Sequence, residues 1–212
     1  MDIAIRNETE HDFREVEELT REAFWNLYVP GCIEHYLVHK MRDHPDFITE
    51  LDAVAECDGK IVGNIMYTKA WLIDENGREM EIVSFGPVSV LPEYQRKGIG
   101  SALIKHTARI ARENGIPGIV ILGDPHDYCK HGFKNGKDLG ISDMNGEYPA
   151  GLLALELQEK AFGGHRWKFR YSEVCNVNEE EAEVFDGGFP PKEKSHKYSQ
   201  DIFSIAVRSY LK

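Results

Sequence analysis

The sequence predicts a mixed α/β fold: a mostly antiparallel sheet flanked by helices, followed by a C-terminal extension. Three features carry this. Apolar residues recur at helical spacing near the N-terminus, a β-like pattern takes over between residues 51 and 90, and a strand–glycine loop–helix–strand unit follows. Taken in order, residues 3–5 read as a short alternating strand. Thr9 with Asp12 three residues on resembles a capping box. Phe13, Val16, Leu19, Thr20, Ala23 and Phe24 then mark the inner face of a helix, with Arg14, Glu15, Glu17 and Glu18 outward. A second helix is expected over 32–42, with Ile33, Tyr36, Leu37 and Met41 on one side and Pro45 just beyond. Residues 51–56 and 61–73 are strand-like and joined by Cys57-Asp58-Gly59-Lys60, a hairpin signal. Asp74-Glu75-Asn76-Gly77 turns into a third strand over 79–90, so the three form a meander. A helix over 98–113 stops at Asn114-Gly115 and Pro117. Residues 119–122 are wholly apolar, as in a strand buried on both faces, and complete one βαβ crossover. A short helix around 126–130 and a strand over 152–157 close the core.

Residues 1–157 are therefore read as one domain and 158–212 as an extension that packs on it or forms a partner surface. Within the extension, 167–174 is strand-like and 179–183 is an acidic run of the kind found on a solvated helical face. Residues 187–191 punctuate a loop, and 202–210 suit a closing helix or strand.

Composition narrows the function. The formal net charge of −11 at pH 7 argues against a phosphate-neutralising nucleic-acid binder and is compatible with attracting an amine. No apolar run reaches the roughly 20 residues of a bilayer span. The first residues lack the basic and apolar pattern of a secretory leader. The four cysteines form no CxxC pair, so a cytoplasmic protein without a disulfide scaffold or zinc ribbon is expected. His35 and His39 are four apart on a helix, and His126, Cys129 and His131 cluster in sequence. Neither set completes a ligand pattern, and no metal is expected.

The stretch 86–103 carries the chemistry. A strand feeds a loop whose Gly98 and Gly100 let backbone amides gather at a helix start, with Arg96 and Lys97 adding positive charge. It lacks GxxxxGK[ST], and a third glycine or alanine of a dinucleotide fingerprint is replaced by Leu103. Gln95-x-x-Gly98-x-Gly100 after Val88-Ser89-Val90 instead resembles the acetyl-CoA motif of the GNAT superfamily of N-acyltransferases. Tyr128-Cys129-Lys130-His131-Gly132-Phe133 is similar to its second signature. The wording of 85–90 and 122–125 is most similar to the YhbS-like subgroup, and the resemblance covers roughly residues 1–157.

The resemblance implies the acyl-CoA N-acyltransferase fold and acetyl-CoA as cosubstrate. The pantetheine arm would lie between the strand ending Val88, Ser89 and Val90 and its parallel neighbour. The amides of Gln95, Arg96, Lys97, Gly98, Ile99, Gly100 and Ser101 would hold the pyrophosphate, and the Val90 N–H or a neighbour would polarise the thioester carbonyl. Tyr128 would protonate the leaving thiolate after direct attack by a primary amine, on a small molecule or a peptide. Some relatives carry a strand glutamate as general base where this chain has Ser84, so Glu81, Asp124, His126 or a water relay remain candidates. The alternative is a non-catalytic acyl-CoA-binding or regulatory module. Trp25, Tyr28 and Tyr36 are either core or border the acceptor, and the extension could build a homodimer.

Overall fold

The computed structural model describes residues 2–212. Strand β1 (Ala4–Asn7) leads through a capping box, in which Thr9 N–H donates to Asp12 Oδ2 at 2.8 Å, into α1 (Phe13–Phe24). Helix α2 (Glu34–Met41) follows, then a meander of β2 (Ala53–Cys57), β3 (Lys60–Asp74) and β4 (Glu79–Val90). The crossover is α3 (Ile99–Glu113) into β5 (Gly118–Leu122). Beyond it come α4 (Pro125–Tyr128), two-residue strands β6 (Lys134–Asn135) and β7 (Ile141–Ser142), and β8 (Leu152–Glu156). The extension forms β9 (Trp167–Arg170), α5 (Glu179–Asp186) and α6 (Tyr198–Ala206).

All strands join one sheet in the order β1-β2-β3-β4-β5-β8-β6, with β9 bonded to β3 and β7. The 15-residue β3 is long enough to serve two partners on one side. Its first half pairs with β2, and Trp71 to Asp74 pair with β9. Neighbouring residues of a strand point to opposite faces, which fixes the layers. A Cβ on Gly63 would meet Ile99 and Leu103 of α3, whereas Asn64 accepts from Thr20 of α1. So α3 covers one face, while α1 and α2 cover the other. The remaining part of the α1 face buries Ala70, Leu72, Val120, Leu152 and Ala154 under Phe162, Trp167 and Phe169, all from residues 158–170. Among the described residues no helix is long and apolar enough to cross a membrane.

One expected outward face of α1 is corrected. Glu17 is buried, because its Oε1 takes Arg42 Nη1 at 3.0 Å and His39 Nδ1 at 2.9 Å from α2. Arg21 is buried likewise, its guanidinium gripping both oxygens of Asp186 at the end of α5. The acidic run 179–183 does lie on a helix, and Ala182 is its buried residue.

Candidate active site

Strands β4 and β5 run parallel but pair only at Val83 and Ile119. Above that pair Tyr67 faces Phe85 and Ile65 faces Val88, so Gly86 and Pro87 together oppose Met66. Two residues against one make a bulge, which bends β4 away from β5. Proline suits this position because it has no N–H to give a ladder. The result is a cleft between the upper ends of the two strands.

The backbone of β4 is poised to use that cleft. Leu91 N donates to Val62 O at 3.0 Å. Hydrogen-bonded pairs alternate along an antiparallel ladder, so Ser89 bonds with Asn64 while Val88 and Val90 turn their N–H and C=O towards β5. Gln95 Nε2 occupies the Val90 carbonyl at 3.1 Å, leaving the Val90 N–H and both polar groups of Val88 facing the cleft. Ser89 departs from the expectation. Its backbone is spent on β3 and its hydroxyl donates to Thr20 Oγ1 at 3.2 Å on the α1 face, so it is a buried residue whose polar groups are already engaged.

The loop after β4 gathers donors. Arg96 (φ 59°) and Gly98 (φ 86°) are left-handed, which turns successive amides to one side at the start of α3. None of the N–H groups of Arg96, Lys97, Gly98, Ile99, Gly100 or Ser101 donates to another group among the described residues. The Arg96 side chain stays exposed, and Lys97 Nζ donates back to Glu93 O at 2.7 Å. A Cβ at Gly100 would sit 3.8 Å from Val90 and 3.9 Å from Val88, ordinary contact distances, so the protein itself has room for one. The cradle therefore fits a pyrophosphate, with room at Gly100 for a phosphate to approach the backbone. Ile99 contributes only its amide, since its side chain is buried.

Tyr128, at the end of α4, rests on Gly123 just past β5 and packs against Phe85 and Phe133, with centroids 5.6 and 6.0 Å away. Burial, reinforced by Tyr28, Asp127 and Asp124, pushes its phenol well above the usual tyrosine value, so it stays protonated and able to donate. Across the cleft, Asn26 (φ 60°) closes the connection between α1 and α2. Its N–H donates to Gly31 O at 2.8 Å, and its Oδ1 accepts from Gly31 N at 2.8 Å. That closed loop presents Tyr28, whose phenol is pushed up to about 12 by burial first and then by Glu34, Asp127 and Asp124.

The family model described as Acetyltransferase (GNAT) family matches residues 10–133, more than half of the chain. The chain belongs to the GNAT family. An acetyltransferase of this family from Brucella melitensis, solved with acetyl-CoA, is 28% identical, covering 82% of this chain and 99% of its own at a TM-score of 0.65. The Escherichia coli N-acetyltransferase YhbS, solved with CoA, shares the fold at a TM-score of 0.70 and 23% identity, covering 82% of this chain and 92% of its own. The E. coli protein described as uncharacterized N-acetyltransferase YjhQ is 33% identical over 84 residues, which is 40% of this chain and 46% of YjhQ. The protein is thus an acetyltransferase of the YhbS-like GNAT type, with acetyl-CoA as cosubstrate.

Within the GNAT frame the candidates for the general base separate. Glu81 pairs with Lys69 at 3.4 Å and faces Trp71, towards the far end of β4 from the cleft, so it is removed as a candidate. Asp124 caps α4, its Oδ1 accepting from His126 N at 2.8 Å, and His126 is exposed. Sequence reasoning missed Glu34, at the first turn of α2. Its Oε2 accepts from its neighbour Ile33 N at 3.0 Å, and it has no cationic partner among the described residues. Desolvation raises its carboxyl above the usual glutamate value. The adjacent Gly31-Cys32 turn was the available signal, since it starts a helix at the acceptor side. Trp25 donates to Glu193 O at 2.9 Å and lies beneath Arg21, while Tyr36 donates to Glu181 at 2.8 Å, so of the three aromatics Tyr28 faces the cleft. Cys32, with its Sγ 3.3 Å from His35 Nδ1, is pushed up to about 12 mainly by burial and stays a thiol.

Proposed function

We propose that the protein transfers the acetyl group of acetyl-CoA to a primary amine by direct attack, with no covalent enzyme intermediate. The observation that carries this reading is the alignment of three things along one cleft: the free amides of 96–101, the unpaired Val88 and Val90 backbone, and the Tyr128 phenol. The loop amides hold the pyrophosphate at the start of α3, where the helix dipole also favours negative charge. Val88 bonds the pantetheine arm as a strand neighbour would. The amine nitrogen attacks the thioester carbon, forming the C–N bond. The Val90 N–H then receives the developing oxyanion. As the C–S bond breaks, Tyr128 gives its proton to the leaving sulfur. Glu34 takes the proton lost from nitrogen, its raised pKa making it a stronger base than a solvated carboxylate.

Calorimetry with acetyl-CoA, CoA and NADH, followed by thiol release against an amine panel, tests the reading. Binding of acetyl-CoA but not NADH, with thiol release on at least one amine, is the expected result. Binding without turnover on any amine would instead mark an acyl-CoA-binding module.

A further inference from the structure

The last twenty residues run across the acceptor side of the cleft, and their anchors are on both banks. On one bank, Asn26 Nδ2 donates to Glu193 O and to Ser195 Oγ, each at 3.1 Å, and Ser195 N donates to Asn26 Oδ1 at 3.0 Å. Gln200 Nε2 donates to Asn26 O at 3.1 Å from inside α6. Phe203 lies with its ring 4.5 Å from that of Tyr28. On the other bank, Ala150 N donates to Ser209 O and Leu211 N to Tyr148 O, both at 2.8 Å, just before β8 begins.

Direction follows from the topology. Helix α1 returns upward over the sheet, so Asn26 lies at the same end as Val90 and Leu122 and on the α1 face. Strand β8 runs antiparallel to β5, so residues 148–151 are at that end too, and Gly123 N donates to Gly151 O at 2.9 Å. A segment tied to Asn26 and to 148–150 has to pass above the gap between β4 and β5. The span from β4 to β8 is two strand spacings, about 10 Å before splaying. The nine residues of α6 cover about 13 Å, enough to bridge it.

Resting on the reading above, we propose that α6 roofs the acceptor passage, with Phe203 and Tyr28 as its specificity-determining wall, so that the acceptor is a small alkylammonium and not a lysine of a folded protein. A helix is about 10 Å thick with its side chains, whereas a lysine stem reaches roughly 6 Å from its Cα. A lysine held on a folded surface therefore stops short of the thioester, while a slender amine passes beneath. The carboxylates of Glu34, Asp124 and Asp127 lie close enough to push up the Tyr28 phenol and make no ion pair among the described residues, so this side of the cleft attracts an ammonium group.

The test uses the full chain with acetyl-CoA and follows thiol release and product mass with putrescine, spermidine, 2-phenylethylamine, a lysine-containing nonapeptide and folded cytochrome c. The expected result is a kcat/KM for the best small amine at least tenfold above that per cytochrome c lysine. Phe203→Ala should change the small-amine KM at least fivefold and raise cytochrome c acetylation, with acetyl-CoA affinity unchanged. Phe203→Leu, which keeps bulk and loses the ring, covers the case in which the alanine variant unfolds. Equal rates on cytochrome c, or acceptor constants unmoved by either variant, would overturn the roof alone. Thiol release from no amine, with acetyl-CoA bound, would overturn the transferase reading and the roof together.

Discussion

Tyr128 lies directly on Gly123: a Cβ added at Gly123 would overlap the tyrosine ring. The glycine is therefore what lets the phenol drop onto the end of β5 beside Phe85. Tyr128→Phe is expected to lower kcat by about a hundredfold, the range for loss of one general acid, with acetyl-CoA affinity kept. Gly123→Ala should give a similar kcat loss through displacement of the ring. Steady-state kinetics beside calorimetry checks both.

The two glycines of the loop are needed for different reasons, and melting curves separate them. Gly98 is left-handed with open space around it, so Gly98→Ala costs about 1 kcal/mol of stability through backbone strain. Gly100 has an ordinary backbone and room for a methyl, so Gly100→Ala leaves the melting temperature almost unchanged and weakens CoA binding. Gly100→Glu, which adds bulk and negative charge, should abolish it.

Glu34 links pH to both rate and stability. Desolvation holds its folded pKa above the unfolded value of about 4.3. The native state thus binds its proton more tightly than the unfolded state, and stability from this group falls as pH rises from the unfolded value through the folded one. At pH 7 Glu34→Gln should raise the melting temperature while lowering kcat. The acidic limb of the kcat/KM profile, sitting above the ordinary glutamate range in the parent protein, should disappear in the variant.

Arg21 is 3% exposed, and Asp186 is its carboxylate partner among the described residues, at 2.6 Å. Removing one member of a buried pair strands the other, a loss of about 3 kcal/mol or more. Asp186→Asn should accordingly lower the urea midpoint markedly. Lys60→Ala, which removes an exposed pair with Glu93, should leave it nearly unchanged.

The donor cradle was legible in sequence because its requirements are local. Gly98 supplies a left-handed turn, and the apolar stripe Ile99, Leu103, Ile104 and Thr107 orients the helix that follows. Tyr128 was legible through its fixed distance from Gly132 and Phe133. Glu17 was misread as outward because its partner Arg42 is 25 residues away and no periodicity reveals an ion pair. That Ser89 turns its backbone to β3 while Val88 and Val90 turn theirs to the cleft was not legible, because alternation along β4 needs the register with β3. Asn26 was not singled out at all, and Phe203 was read only as part of a closing helix or strand. Their importance exists only once residues 169 positions apart meet, as Asn26 and Ser195 do.

The pairing of β9 with the outer half of β3 sets an order of events during synthesis. Residues 71–74 leave the ribosome well before their partners, 167–170. Domains begin to organise from the N-terminus as the chain is made. A nascent chain long enough to own the phosphate cradle and Tyr128 therefore still carries an unpaired strand edge and an uncovered apolar face at Ala70, Leu72 and Val120. Emergence of residues 167–170 is the step that seals that edge, so a stop codon before them leaves a sticky, incomplete sheet in place of a slightly shortened enzyme.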